Sequence, residues 1–298
     1  MRLLFLLFPI LLFSQSQTAK GVVLDKETNA PVPYVNISIL ESQSGTSSDE
    51  NGTYSLDIKK DDLNKIVKLS SLGYEDSSLT ISMFLNASKI YLKSKSEVLD
   101  EVFINEKIDD VNIVVNEIED SELCQGYGSM EENPWIMALY FPYNDEYEKT
   151  EFLKSVKFHF GNFKNKKSKF RLRLFSVGKD SLPGEDILKE NIIVSLKKKQ
   201  KFAEVDISEY YILFPYEGVY VAFEWLYIPY NVEEVTYHFE NKKKEKRLKY
   251  HPILSSTCEE AGKFTVATYV SGRWIFYSAK KYKSEEKSIP AISLTLSN

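Results

Sequence analysis

The chain has 298 residues, 27% charged and 43% hydrophobic, a composition that excludes an intrinsically disordered polypeptide and suits two domains of roughly 100–200 residues each. The net charge of −5 is unevenly spread: residues 17–122 carry 20 acidic against 10 basic side chains, and the basic excess gathers at 164–169, 197–201 and 242–249. Such lysine runs read as solvated loops, with anionic glycans or lipopolysaccharide as the alternative, and an exported chain without a nucleic-acid-binding fingerprint excludes nucleic acid.

Taken from its start, the chain opens with Met1 and Arg2, an apolar run at 3–13 and then Ser14-Gln15-Ser16-Gln17. This is the layout of a secretory signal peptide over 1–16, and the run is too short to span a bilayer. No cysteine follows it for lipid attachment. We expect an exported mature protein, periplasmic or at the cell surface, beginning near Gln17.

From 17 to 95 the pattern is that of short strands. Val22/Leu24 and Val35/Ile37 alternate with their neighbours, the period of half-buried strands. Asp25 to Asn29 supplies turn formers, and Pro31 and Pro33 fix φ where no ladder donor is needed. Asn51-Gly52, between two strand-like runs, predicts a hairpin. A helical turn is expected at 61–66, and strands at 66–69, 79–84 and 88–92.

Gly21, Val22, Val23, Asp25, Pro31, Val32, Val35 and Ile37, then Gly45-Thr46, Asp49, Asn51-Gly52, Tyr54, Leu56 and Ser71-Leu72-Gly73-Tyr74, together resemble the carboxypeptidase-regulatory-like domain. The resemblance implies a transthyretin-like β-sandwich over roughly 18–95. It also implies secreted and outer-membrane proteins of Bacteroidetes-type bacteria, and an accessory module without catalytic residues. Residues 96–124 form an acidic connector in which Val111, Ile113 and Val115 predict an extended strand. Within it Leu99-Asp100-Glu101-Val102 is similar to the junction that follows this domain in large TonB-dependent nutrient receptors. The roughly 175 residues after Leu123 are too few for a plug and a barrel of about 22 strands, so a transporter is not expected.

The second domain is expected over 125–298, with Gly126, Gly128 and Asn133-Pro134 breaking regular structure at its start. Alternation predicts strands at 135–141, 153–160, 170–175, 192–196, 202–207, 219–227, 235–239, 264–270, 273–278 and 291–296, with a helical turn at 185–188. Nine or ten such strands make a jelly-roll-like sandwich, and the fold class is all-β throughout. Phe170-Arg171-Leu172-Arg173-Leu174-Phe175, Leu182-Pro183-Gly184-Glu185, Val205-Asp206-Ile207 and Gly218-Val219-Tyr220-Val221 are similar to jelly-roll-like C-terminal modules of Bacteroidetes surface proteins.

The chemistry of a reaction centre is not written in these residues. A zinc carboxypeptidase needs a His-x-x-Glu pair and a distant histidine. Here His159 and His251 have no such partner, and His238 has its glutamate, Glu240, at the second position. No Gly-x-Ser-x-Gly elbow, P-loop or dinucleotide fingerprint is present. No catalytic residue, metal or cofactor is assigned. Cys124 and Cys258 permit one disulfide in an oxidising compartment, and the sequence leaves open whether they meet or stay as buried thiols.

Glu224 lies in a strand apolar on both faces and is expected to pair with Arg171 or Arg173, or else to face a ligand on a concave sheet. Trp135, Trp225 and Trp274, with Tyr140, Tyr143 and Tyr277, are the aromatics that could stack on a sugar ring, and Trp274 beside Arg273 near a strand start is the best exposed candidate. The reading is a non-enzymatic exported envelope protein that binds carbohydrate or another envelope protein. The alternatives are an enzyme acting on envelope polysaccharide or peptide, and an accessory of a TonB-dependent uptake system.

Overall fold

The computed structural model describes residues 17–95, 109–129, 134–161, 163–238, 244–260, 264–277 and 286–298. The expected signal peptide, the 99–102 junction and Glu240 lie outside them. The described chain is all-β with one short α-helix.

The first module contains β1 (Gln17–Asp25), β2 (Asn36–Ile39), β3 (Gly45–Ser47), β4 (Thr53–Ile58), β5 (Ile66–Ser70), β6 (Ser77–Thr80), helix α1 (Ile81–Asn86) and β7 (Lys89–Leu92). One sheet has the order β4-β1-β7 and the other β3-β2-β5-β6. Strict alternation along β4 turns Tyr54, Leu56 and Ile58 inward to meet Val23, Ile37, Val67 and Phe84 between the sheets. Each such buried side chain contributes about 1.5–3 kcal/mol of transfer free energy.

Two local expectations are corrected here. Asn51-Gly52 makes its turn, with Gly52 at φ 73° and the Asp49 carboxylate accepting from Asn51 N and Thr53 N, yet β3 and β4 belong to different sheets. The turn is a crossover because β1 captures it: Val23 N donates to Gly52 O at 2.8 Å. The strand expected at 79–84 ends at Thr80, whose hydroxyl caps helix α1 by accepting from Met83 N. Ile81 and Phe84, three apart, then face the core together, which a strand does not allow.

The second module comprises β8 (Asn112–Val115), β9 (Leu123–Ser129), β10 (Ile136–Phe141), β11 (Phe152–His159), β12 (Ser168–Val177), β13 (Pro183–Asp186), β14 (Ile192–Leu196), β15 (Phe202–Asp206), β16 (Val219–Trp225), β17 (Val232–His238), β18 (Lys244–Glu260), β19 (Val266–Val270), β20 (Arg273–Phe276), β21 (Glu286–Pro290) and β22 (Ile292–Ser297). A seven-stranded sheet, β13-β12-β16-β10-β19-β20 with β14 also on β12, packs on a four-stranded sheet, β15-β11-β22-β8. The core between them is built from Leu139, Val221 and Phe223 on one side and Val156, Phe158 and Leu294 on the other.

A third sheet forms around the seventeen-residue β18, which pairs with β17, β9 and β21. Its Pro252 carbonyl accepts from Trp225 Nε1, and Trp225 stacks on Trp135 at 4.5 Å. The module thus has more strands than the sequence predicts, since β13 replaces the helical turn and the unexpected β9, β18 and β21 join the expected β17 in an extra sheet. Strand β8, read as connector, adds to β22 and so joins the second module's sheet.

Candidate functional site

The face of the seven-stranded sheet that turns away from the four-stranded sheet carries Glu224, its expected partners Arg171 and Arg173, and Trp274. Register sets them in rows: Arg171, Glu224, Ile136, Tyr269 and Trp274; then Arg173, Ala222, Ala138, Ala267 and Phe276; then Phe175, Tyr220 and Tyr140. The middle row is alanine where the flanking rows are large. Strands lie about 4.8 Å apart, so on a flat sheet β12 and β20, four positions apart, would hold their side chains about 19 Å apart. The rings of Phe175 and Trp274 instead meet edge to face at 5.2 Å. The sheet therefore curls around its alanine row, and Trp274 closes the concave side from the outer edge.

The first module roofs one end of this concavity. Asn36 Nδ2 donates to Glu224 Oε1 at 2.7 Å, and Arg171 Nη2 donates to the Tyr34 carbonyl at 2.7 Å. Arg171 Nη1 lies 3.3 Å from Glu224 Oε1, and Arg173 Nη1 lies 3.4 Å from Oε2. Arg173 also grips Asp186 through two bonds, of 2.8 and 2.5 Å. Tyr34 packs against Leu226 and Ile228 beside this network. It sits at φ 56°, a left-handed conformation that costs a residue with a side chain about 1–2 kcal/mol, and its carbonyl is the one that Arg171 takes.

The β19–β20 hairpin completes the seam. Its two-residue turn, Ser271 at φ 53° and Gly272 at φ 81°, matches the strand twist. Ser271 Oγ donates to Ser42 O at 2.7 Å, and Lys68 Nζ reaches Gly272 O at 3.4 Å.

Charges within the seam respond to burial. Burial pushes the Arg171 guanidinium below its ordinary value, with the Glu224 charge opposing. Burial also works against Arg173, but Asp186 and then Glu224 outweigh it and hold that group above its usual range. Arg171 and Glu224 have no exposed side-chain surface, and Arg171 Nε finds no acceptor among the described residues. A buried charge network of this kind demands that every member be present.

The predicted residues do not converge on one ligand surface. Glu224 is sealed inside the seam. Trp274 is half-buried against Phe175 and Tyr269, whereas Arg273 is exposed. Strand alternation turns Arg273 and Tyr277 to the side opposite Trp274, where Tyr277 meets Tyr127 edge-on at 5.9 Å. Cys124 and Cys258 are joined in a disulfide, with Cα atoms 6.0 Å apart. A cleft of about 520 Å³ opens beside the seam, lined by Asp49, Thr53 and Ser55 from one module and Tyr227, Ile228 and Leu248 from the other.

The described histidines lie in separate environments. His159 is buried with Ser293 Oγ 3.4 Å from Nε2, and burial pushes its ring down to about 4. His251 Nδ1 faces Asn165 Oδ1 at 3.2 Å and Nε2 faces Glu233 Oε2 at 2.9 Å. Burial lowers His251, and its bond to Glu233 holds that carboxylate below the usual range. Among the described residues no group of three metal-binding side chains forms.

Sequence reasoning missed Asn36, Tyr34 and Asp186. A polar residue alternating with Val35 and Ile37 reads as solvent-facing, and only the second module lying over β2 buries it.

Residues 19–104 match the family model of the CarboxypepD_reg-like domain. Over 118 residues the chain is 33% identical to the TonB-dependent receptor SusC of Bacteroides thetaiotaomicron, an alignment covering 38% of this chain and 11% of the receptor. The chain thus spans about a ninth of that relative's length. The recognised module and this relative are both of non-enzymatic type.

Proposed function

We propose that this chain is a non-catalytic binding module of the cell envelope, exported by its 1–16 segment, that serves a TonB-dependent uptake system by engaging carbohydrate or another envelope protein. The observation that carries this reading is the similarity to a TonB-dependent receptor over a stretch longer than the 19–104 domain. The geometry supports it in one respect. The buried charges Glu224 and Arg171 bond across the seam to Asn36 and the Tyr34 carbonyl, with Arg173 bracing Glu224 from its own module, so both sandwiches present their outer surfaces at a fixed spacing. Surfaces held in fixed register suit a scaffold that bridges partners.

The test is cross-linking of the full chain in the native envelope, with photoreactive residues placed at exposed positions on both modules and adducts identified by mass spectrometry. Adducts with a TonB-dependent receptor or its envelope partners are expected. Cross-links confined to cytoplasmic proteins, or turnover of envelope polysaccharide or peptide by the purified chain, would overturn the reading.

A further inference from the structure

At one end of the second module, two loops at 142–151 and 206–218 form an aromatic cluster. Tyr143 meets Tyr147 at 6.3 Å and Phe214 at 5.9 Å, Tyr147 meets Phe214 at 5.5 Å, and Tyr216 lies tilted against Tyr143 at 4.8 Å. The cluster runs from Phe214, which is 5% exposed, to Tyr216, which is 82% exposed. Tyr143, held by Tyr147 and Phe214, has little rotamer entropy left to lose on binding, and Tyr216 stands open beside it. Beside it lies a cleft of about 530 Å³, whose walls include Tyr140, Tyr147 and Pro142 and whose polar groups are Asn116, Glu117 and Thr265. That volume falls within the roughly 300–1,000 Å³ of small-ligand clefts.

We propose that this cleft and the Tyr143–Tyr216 platform bind a neutral carbohydrate chain. The proposal rests on the binding-module reading above and gives it a site. Sugar rings present apolar C–H faces with hydroxyls around the rim. The tyrosines meet the faces, and the amide, hydroxyl and carboxylate meet hydroxyls that both donate and accept. Charge sets the class of sugar. The Tyr143 hydroxyl is pushed up by its own desolvation and then by Tyr216, Asp145, Glu148 and Glu151, so carboxylates surround the platform. The two loops carry seven acidic residues and one lysine. Sulfated, phosphorylated or uronic-acid chains would be repelled.

Tyr140 and Tyr143 are legible in the sequence as aromatics that could meet a sugar, but Tyr147 and Tyr216 lie in loops that no strand pattern singles out. The tyrosines are spread over two segments about seventy residues apart in sequence, and only the ends of the sheets bring them together.

The experiment is affinity gel electrophoresis of the full chain in gels containing soluble α-glucan, β-glucan, α-mannan or xylan, with a sulfated glycan and polylysine as further arms. Retardation by at least one neutral polysaccharide is expected, weakened five- to tenfold or more in Tyr216→Ala and unchanged in Trp274→Ala. Tyr216 is open enough that its loss leaves the fold intact, which circular dichroism checks. Three results would overturn the proposal: no neutral polysaccharide retards the chain, Tyr216→Ala binds like the native chain, or only polylysine or the sulfated glycan binds. If envelope cross-linking still captures a TonB-dependent receptor in those cases, the site fails while the scaffold reading stands.

Discussion

Replacing Glu224 by glutamine keeps the side chain's shape and removes its charge. In the seam this leaves Arg171 fully buried with the Tyr34 carbonyl as its only strong partner, while Arg173 keeps both bonds to Asp186. Removing one partner of a buried ion pair costs about 3–5 kcal/mol, because the stranded charge has lost water without gaining a counter-ion. The reverse change, Arg171→Met, is expected to cost less, about 2–3 kcal/mol, since Glu224 retains Asn36 and Arg173 and the main loss is the donor to Tyr34 O. The double variant should recover part of the loss, with a coupling energy of about 1–3 kcal/mol.

Urea unfolding followed in two ways reads the outcome. All three tryptophans, Trp135, Trp225 and Trp274, lie in the second module, so fluorescence reports that module alone, whereas far-ultraviolet circular dichroism reports both. In Glu224→Gln the two curves should separate as the first module loses its hold on the second; in the native chain they should lie closer together. A Glu224→Gln variant within about 1 kcal/mol of native stability, with unchanged curves, would refute the account of the seam.

Replacing both Cys124 and Cys258 by serine releases a loop of 134 residues, for which chain entropy sets a loss of up to about 5 kcal/mol; thermal melts with and without reductant should place the native protein well above the variant. His159 titrates near 4 when folded and near 6.5 when unfolded, so only the unfolded chain takes up its proton between those values. Stability should therefore fall as pH drops from about 6.5 towards 4, by at most about 3 kcal/mol and less where water in the cleft lined by Lys157, His159 and Glu204 screens the ring. His159→Gln should flatten that part of the stability profile, and a ring resonance titrating near 6.5 in the native protein would contradict the burial argument. Gly45→Ala places a Cβ 2.5 Å from the Ile37 carbonyl and against the Pro134 ring; overpacking of about 1–3 kcal/mol should weaken the seam, seen as faster amide exchange in β2 and β3.

Sequence alone determined the class and the rough layout. Alternation such as Val35/Ile37 and Val156/Phe158/Phe160 requires strands because the pleat has a period of two. Cys124 and Cys258 were legible as a possible bridge, and the structure closes it. The charge of Glu224 in an apolar strand was itself legible, since a carboxylate there needs a partner.

Only the tertiary structure decided which surfaces are free. Asn36 carries no mark that distinguishes it from a solvated strand position, and its burial comes from a module about 190 residues away in sequence. Trp274 looks like an open platform until the sheet's curl, set by three small alanines in register across adjacent strands, brings Phe175 against it. Asn51-Gly52 shows the same limit at short range: local dihedral preference shapes the turn, but the competition of β1 for Gly52 O determines which sheet each flanking strand joins. Backbone preference acts over a few residues and is carried by the sequence. Burial depends on what packs from outside, and that exists only once the chain has folded.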